Sequence, residues 1–318
     1  MEKNKILIIS NTSDYEVDEI ENNLAKEVCF RINTDTLNIE YNIYIDLEDF
    51  EFRVTNKNTN ISISSEEIKT IWWSRDVNMD SSEVEEHLKT FLIQEYSASL
   101  YALLACAENS SIKIVSNPNF TRQAADKAKQ QIQAKKVGFQ IPKQIITNTV
   151  ESFERFAKDK TILFKSIYGS DYIVKENTEN AYFTYPTTIT QEMYEWIIND
   201  EIDFHIYHFQ EKLDFIFEYR VVVFGDQLYA FKIEGDYTLD WRRSEDKIKF
   251  TYIKNFEFSH LCFDYLASFN LDFGSFDFIQ TEKGLYFIEC NNPGYFLFLD
   301  KSNKLNLAEK FAAFLKQE

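Results

Sequence analysis

Near the end of the chain, two carboxylates and a carboxamide recur at a spacing that could hold a hard cation. The stretches 275–280 and 285–291 read as two short strands joined by a tight turn; the first carries Asp277, the second Glu289 and Asn291. Side chains repeat every two residues along a strand, so Glu289 and Asn291 share a face. Asp277 joins that face if it sits opposite Glu289. That pairs Thr281 with Leu285 and leaves a three-residue loop, Glu282-Lys283-Gly284, whose glycine tolerates a positive φ. The resulting oxygen-only set suits magnesium better than zinc or copper. Acidic residues on a strand face of so acidic a chain can also be simply solvated. These, however, interrupt the apolar run 285–290 and precede a Pro-Gly break, a setting in which polar groups need partners.

Cations stand at two other strand ends. Lys165 closes the apolar strand 161–165, a natural place for a phosphate ligand, and a stretch expected to be flexible, 166–171, follows. In Ile71-Trp72-Trp73-Ser74-Arg75, adjacent tryptophans fall on opposite faces of a strand, one for the core and the other to line a surface. Arg75 at the end reads either as a solvated cation or as a guanidinium that holds a carboxylate or phosphate by paired hydrogen bonds. His205 and His208 have no third ligand nearby and read as ordinary strand or turn residues.

The elements that must position these groups follow an α/β pattern. The 318 residues are 44% hydrophobic and 16% aromatic with only 7 Gly and 4 Pro, which favours a large buried core over linkers. A formal charge of −18 argues against nucleic-acid partners, since phosphate contacts need clustered Lys and Arg. The four scattered cysteines form no CxxC pair, so reduced thiols in a cytoplasmic protein are expected. The apolar run 6–9 is too short for a signal peptide, and no stretch has the length of a membrane span. The opening reads β-α-β: a strand at 5–10, a helix to about residue 29, then strands near 30–32, 41–47 and 50–54. No GxGxxG follows the first strand, so a dinucleotide site has no support. A long helix spans 87–108, and Ser116-Asn117-Pro118 breaks the chain. One helix over 120–137, ended by Gly138, a strand at 143–147 and helices at 151–159 and 191–199 follow. The last third alternates as strands at 205–210, 217–224 and 228–233, then a helix at 259–269, the hairpin, and a closing helix at 305–316. The expected segments are 1–117, 118–200 and 201–318.

Read in order, Asp126-Lys127, Lys165, Phe209-Gln210-Glu211, Glu218-Tyr219-Arg220-Val221, Asp240-Trp241-Arg242, Asp277 and Glu289-Cys290-Asn291 resemble the motifs of ATP-grasp ligases. No piece is specific by itself; together they occur in register. The chain is more closely similar to the peptide maturases that make graspetides, the microviridin-like ω-ester and ω-amide peptides. Trp72-Trp73-Ser74-Arg75 resembles their Trp-Trp-x-Arg motif, and Phe209-Gln210-Glu211 through Glu218-Tyr219-Arg220 matches their Phe-Gln-Glu … Glu-Leu-Arg spacing. Residues 287–297 resemble their Phe-Leu-Glu-Val-Asn-Pro-Asn-Gly-Gln-Trp-Leu. There are departures. Asp214-Phe215 stands where the family often has Pro-Lys, the stretch after Lys165 is poorer in glycine, and Asn292-Pro293-Gly294 orders its small residues differently.

The resemblance implies an ATP-grasp fold: an N-terminal pre-ATP-grasp α/β domain, a central domain, and a C-terminal subdomain carrying the metal site. It implies ATP and Mg2+ as cofactors. Lys127 and Lys165 would contact the nucleotide phosphates, and Phe209, Gln210 and Glu211 would form the hinge facing adenine, partly through backbone groups. Asp277, Glu289 and Asn291 would hold magnesium, and Arg220 and Arg242 would stabilise the transferring phosphoryl group. A Glu or Asp of a ribosomal precursor peptide would attack the γ-phosphate, and a Thr or Ser hydroxyl or Lys amine of the same peptide would displace phosphate and close a ring. Arg75, Arg220, Arg242 and Arg243 would meet the acidic core peptide, and its leader would bind between 171 and 200. A homodimer is the family-like state. The rival readings are an ATP-grasp ligase acting on amino acids or a protein C-terminus, and a nucleotide-regulated binding module.

Overall fold

Unbroken aliphatic runs, Ile6-Leu7-Ile8-Ile9 first among them, build a parallel sheet that is buried on both faces. The computed structural model describes residues 3–78, 85–167, 173–174, 181–182, 186–199, 204–235 and 248–317. Its first part runs β1 (Lys5–Ser10), α1 (Tyr15–Glu21), β2 (Cys29–Asn33), α2 (Leu37–Glu40), β3 (Tyr41–Asp46), β4 (Glu51–Asn56), β5 (Ser62–Ser64), β6 (Ile68–Trp73), α3 (Glu86–Glu108) and β7 (Lys113–Val115). Strands β2-β1-β6-β7 form the parallel sheet, and β3-β4-β5 an antiparallel one beside it. Ile6, Ile8, Trp72 and Val115 face one core; Leu7, Ile9, Ile71 and Trp73 face another, against Leu100, Leu103 and Leu104 of α3. Neither tryptophan therefore lines a surface, contrary to the alternation argument: Trp72 and Trp73 are 3% and 2% exposed. A parallel sheet is covered on both sides, so alternation sends each ring into a different core. Helix α1 also stops sooner than its periodicity suggests, at Asn22, because Cys29–Asn33 is taken up as the strand that pairs with β1.

The middle part runs α4 (Pro118–Ala124), α5 (Lys127–Val137), β8 (Gln144–Thr147), α6 (Val150–Ala157), β9 (Ile162–Lys165), β10 (Ile173–Val174), β11 (Ala181–Tyr182), β12 (Thr187–Thr188), α7 (Gln191–Ile198) and β13 (Tyr207–Glu211). The single helix expected over 120–137 is two. Asp126 leaves helical geometry and its carboxylate accepts from the Lys129 amide at 2.9 Å, so it caps a new helix whose first residue is Lys127. Gly138 ends α5 with φ +112°, as its position suggests. The antiparallel sheet β12-β9-β13-β8 packs one face on an aromatic core of Phe153, Phe164, Phe204 and Phe209. Strand β13, at the start of the expected third segment, hydrogen-bonds into this middle sheet.

The last part runs β14 (Phe217–Phe224), β15 (Gln227–Gly235), β16 (Ile248–Ile253), α8 (Ser259–Ser268), β17 (Phe273–Thr281), β18 (Gly284–Asn291), α9 (Asp300–Asn303) and α10 (Leu307–Lys316). Its antiparallel sheet, β16-β15-β14-β17-β18, is again two-sided. Val221, Val223, Phe276, Phe278 and Phe287 pack with Phe139 and with Cys262, Tyr265 and Leu266 of α8. On the other face Val222, Phe224, Phe231 and Phe273 meet Phe311 and Phe314 of α10, and Trp72 of the first sheet touches Phe311 at 4.9 Å between ring centroids. Further along β14 and β17 this second face turns polar, at Glu218, Arg220 and Asp277. All four cysteines are free, and no helix among the described residues is long and apolar enough to cross a membrane.

The first and last parts are joined by a buried carboxylate. Glu16, 5% exposed in the first turn of α1, accepts from the amides of Phe296 and Leu297 at 2.7 and 2.6 Å, while Tyr15 stacks on Tyr295 at 5.6 Å. Burial is the largest influence on this carboxyl and pushes it from 4.5 up to about 7. Between those values the folded protein holds a proton that the unfolded chain has released, so this group's contribution to stability falls as pH rises from 4.5 to 7. Glu16→Gln keeps an acceptor for both amides and removes the titration. Urea unfolding at pH 5 and pH 8 is expected to show a smaller pH difference than wild type, by about 2–3 kcal/mol. Glu16→Ala is expected to lose stability at both.

Candidate active site

Three strands bring the charges together. Arg220 on β14 pairs with Asp277 on β17, and Asp277 with Glu289 on β18, as the sequence requires for a shared face. The route to that register differs from expectation. Thr281 pairs with Gly284, so the turn is two residues, Glu282-Lys283, not three. Carried on unbroken, this turn would set Ile288 opposite Asp277 and drive Glu289 into the apolar face. A bulge prevents it: Phe278 pairs with Phe287 but Asp277 with Glu289, leaving Ile288 as the extra residue. Phe287 and Cys290 stay in the core and Glu289 turns to the charged face.

The three oxygen-bearing side chains converge. Asn291 Nδ2 donates to Glu289 Oε1 at 3.1 Å and to Asp277 Oδ2 at 3.4 Å. Arg220 Nη1 donates to both oxygens of Asp277, at 2.9 and 3.0 Å, and Nη2 donates to the Tyr295 carbonyl at 3.1 Å. No group of three or more His, Cys, Asp or Glu occurs among the described residues. Two carboxylates with a carboxamide that can turn its oxygen toward them still make a hard-oxygen set that fits Mg2+, which completes its shell with phosphate oxygens and water. Facing this anionic side are lysines. Lys127 Nζ donates to the Ser166 carbonyl at 3.3 Å. Burial, with Lys127 acting in the same direction, pushes the Lys165 ammonium below its ordinary value, while Glu289, Glu218 and Asp277 oppose that shift. Lys127 at the start of α5 and Lys165 at the end of β9 thus stand within electrostatic reach of the carboxylates of the last sheet, a charge arrangement suited to a metal–polyphosphate.

Other expected residues take roles the sequence did not foresee. The Phe209 ring, 1% exposed, is core to the middle sheet, and it is Gln210 on the opposite face of β13 that shares a side with Lys165. Glu211 Oε1 accepts from the Lys143 amide at 3.0 Å, and the amides of Glu211 and Lys212 are taken by the Lys143 and Thr161 carbonyls. Neither of these amides is free to donate to a ligand. Arg75 is not a solvated cation. Its Nε pairs with the buried Asp14 carboxylate at 3.0 Å, and its guanidinium lies 4.3 Å over the Tyr295 ring. Asp14 is further held by Ser10 and Ser74, each at 3.0 Å. Tyr295 thus takes Arg75 on its ring and Arg220 on its carbonyl. Arg242, Arg243 and the stretch 168–171 lie outside the described residues, as does much of 171–200.

The sequence reading missed a set of carboxamides. Gln130 on α5, buried, bonds both backbone groups of Cys290: its Oε1 accepts from the amide at 3.0 Å and its Nε2 donates to the carbonyl at 2.8 Å. Gln131 Nε2 donates to the Ile288 carbonyl at 2.6 Å. Glu289 is therefore fixed through the backbone on both sides by the helix that begins with Lys127. The available signal was spacing: Lys127, Gln130 and Gln131 share one helix face.

A cleft of this kind between two antiparallel sheets, preceded by a parallel α/β domain, is the arrangement of the ATP-grasp fold, and the chain has that fold. Residues 5–118 match the family model of the MvdD pre-ATP grasp domain. Among solved structures, the chain is similar to the Chryseobacterium gregarium RiPP-associated ATP-grasp ligase in complex with ADP and a leader and core peptide. The two share 24% identity at a TM-score of 0.83, over 98% of this chain and 95% of that one. It is also similar to macrocyclase MdnC of Microcystis aeruginosa MRC, bound with precursor peptide MdnA, at 17% identity and a TM-score of 0.80 over 98% and 99% of the two chains. The likeness to the Enterococcus faecalis VanG D-Ala:D-Ser ligase is weaker, with a TM-score of 0.54 at 14% identity over 99% and 100%. No curated protein matches the sequence.

Removing the guanidinium strands a buried carboxylate. Arg220→Met is expected to cost about 3–5 kcal/mol in urea unfolding, and Arg220→Met with Asp277→Asn to recover part of it.

Proposed function

We propose that the protein is an ATP- and Mg2+-dependent ligase that activates Glu or Asp side chains of a ribosomal precursor peptide and closes ω-ester or ω-amide links within it. The observation that carries the reading is the convergence of Asp277, Glu289 and Asn291 across from Lys127 and Lys165. The pre-ATP grasp match over 5–118 and the peptide-bound relatives support a peptide as the substrate. Phosphoryl transfer needs positioning and charge neutralisation more than covalent help from the protein. The lysines would receive the phosphate chain, and Asp277, Glu289 and Asn291 would hold the metal ion, which neutralises charge on the β- and γ-phosphates when bound. Arg220, paired with Asp277, would meet negative charge on the transferring group, and the resemblance assigns Arg242 the same task.

Phosphorylation converts the peptide carboxylate to an acyl phosphate. Attack by a hydroxyl or amine of the same peptide then expels phosphate in an effectively unimolecular step. The Arg75–Tyr295–Arg220 chain links the N-terminal domain to this site, and its two guanidinium groups, each already paired with a carboxylate, would orient the core peptide. The leader would engage the middle domain, and the protein would act in the cytoplasm as a homodimer.

The deciding experiment incubates the protein, ATP and Mg2+ with a small Thr- and Glu-rich peptide encoded beside its gene and follows mass. Loss of one water per ring is expected. An unmodified peptide, with ADP release on free amino acids instead, would overturn the reading. Glu289→Gln and Asn291→Ala are each expected to lower product formation at least about a hundredfold with the far-ultraviolet spectrum unchanged. Arg75→Ala should impair peptide modification more than nucleotide affinity.

A further inference from the structure

A relay of carboxamides crosses the cleft and ends on an imidazole that the site described above does not use. It begins at a group whose polarity is certain: the Ile288 carbonyl can only accept, so the Gln131 atom at 2.6 Å is its Nε2 donor. The other end of that amide, Gln131 Oε1, must then accept, and the Gln144 atom at 3.0 Å is the donor Nε2. Gln144 Oε1 is left to face His208 Nε2 at 2.9 Å, and an oxygen without hydrogens requires an N–H there. The imidazole is thereby fixed as its Nε2–H tautomer, and Nδ1 carries the lone pair. That nitrogen is buried, in a residue 7% exposed, and has no hydrogen-bond partner among the described residues.

Its surroundings identify the ligand. His208 is the cross-strand partner of Lys165, and it lies on the same face of β13 as Gln210, the face turned away from the aromatic core. It sits three residues before Glu211, where the strand leaves the middle sheet. Burial, followed by Lys165 and Lys127, holds the ring in its neutral form with a pKa pushed down to about 4, so Nδ1 remains an acceptor at physiological pH. Neighbouring lysines receive phosphates. A neutral acceptor deeper on the same face needs a neutral donor, and a nucleotide's base supplies one as an exocyclic amine.

We propose that His208 is a nucleotide-contacting residue whose Nδ1 accepts from the exocyclic amino group of adenine, selecting it over 6-oxo purines, with Gln144 and Gln131 as the positioning residues that set its tautomer. This rests on the nucleotide-binding reading above and adds the basis of base choice. A buried acceptor that meets a keto oxygen is left unpaired, which costs a factor of about ten or more in affinity.

The test is calorimetric titration of the full chain with ADP and with inosine diphosphate, both with Mg2+. Wild type is expected to prefer ADP, and His208→Phe to reduce that preference about tenfold, by weakening ADP while leaving inosine diphosphate nearly unchanged. Gln144→Leu keeps the imidazole but frees its tautomer, so it should reduce the preference in part, and it tests the proposal if His208→Phe fails to fold. Ring 15N correlation spectra should show an Nε2–H tautomer in wild type, assigned by its loss in His208→Phe, and a mixture in Gln144→Leu. A preference unchanged in folded His208→Phe, an equal loss for both nucleotides, or an Nδ1–H tautomer in wild type would overturn the proposal. Nucleotide binding by wild type would survive each of those outcomes; its absence would instead bring down the ligase reading itself.

Discussion

The structure depends on a guanidinium and a carboxylate taken out of water together. Arg220 and Asp277 occupy two adjacent inner strands of the last sheet, β14 and β17, at the point where its apolar face becomes polar. A buried pair of this kind stabilises little by itself, because desolvation offsets most of the attraction unless every remaining donor and acceptor finds a partner. Here the neighbours supply most of them: the Tyr295 carbonyl takes one arm of Arg220 and the Asn291 carboxamide reaches Asp277 from the next strand, while Arg220 Nε is buried without a partner among the described residues. The pair is better understood as a device for orientation. It holds Asp277 in one rotamer while leaving Glu289 and Asn291 beside it, and it carries the position of the 292–297 loop into the site.

That loop is also where the N-terminal domain makes itself felt. Glu16 binds the amides of Phe296 and Leu297, Tyr15 stacks on Tyr295, and Arg75 covers the other ring contact while its own charge is met by Asp14. The Trp-Trp-Ser-Arg stretch therefore serves two ends: its tryptophans fill two separate cores, and its arginine reaches the loop that Arg220 also touches. A domain that contributes none of the site's lysines or carboxylates named above still shapes the site, through a loop anchored at both ends.

Much of this was legible in the sequence. The two-residue period of the strands gave the common face of Asp277, Glu289 and Asn291, and the apolar spacing gave most helices. What escaped had physical causes. The Ile288 bulge leaves no mark in composition, since an extra aliphatic residue in an aliphatic run looks like more strand. The break at Asp126 was hidden because the helical period continues through it, and only the capping role of the carboxylate separates α4 from α5. The burial of both tryptophans depends on which elements cover the sheet, which is tertiary information. The glutamines of α5 drew no reading from sequence, because their partners are backbone atoms some 160 residues away.

Strand β18 ends its sheet, and a terminal strand ordinarily presents a row of unpaired amides and carbonyls to whatever chain passes. This one does not. The Phe287 amide is taken by the Gln140 carbonyl at 2.8 Å, the Ile288 carbonyl by Gln131, and both groups of Cys290 by Gln130. A backbone carbonyl and two carboxamides stand where a neighbouring strand would lie, so the margin beside Glu289 and Asn291 is closed to strand addition. An extended chain that met this margin would find no open ladder to join, so any hold on it would have to come from side chains and charge, and its sequence would decide whether it stayed.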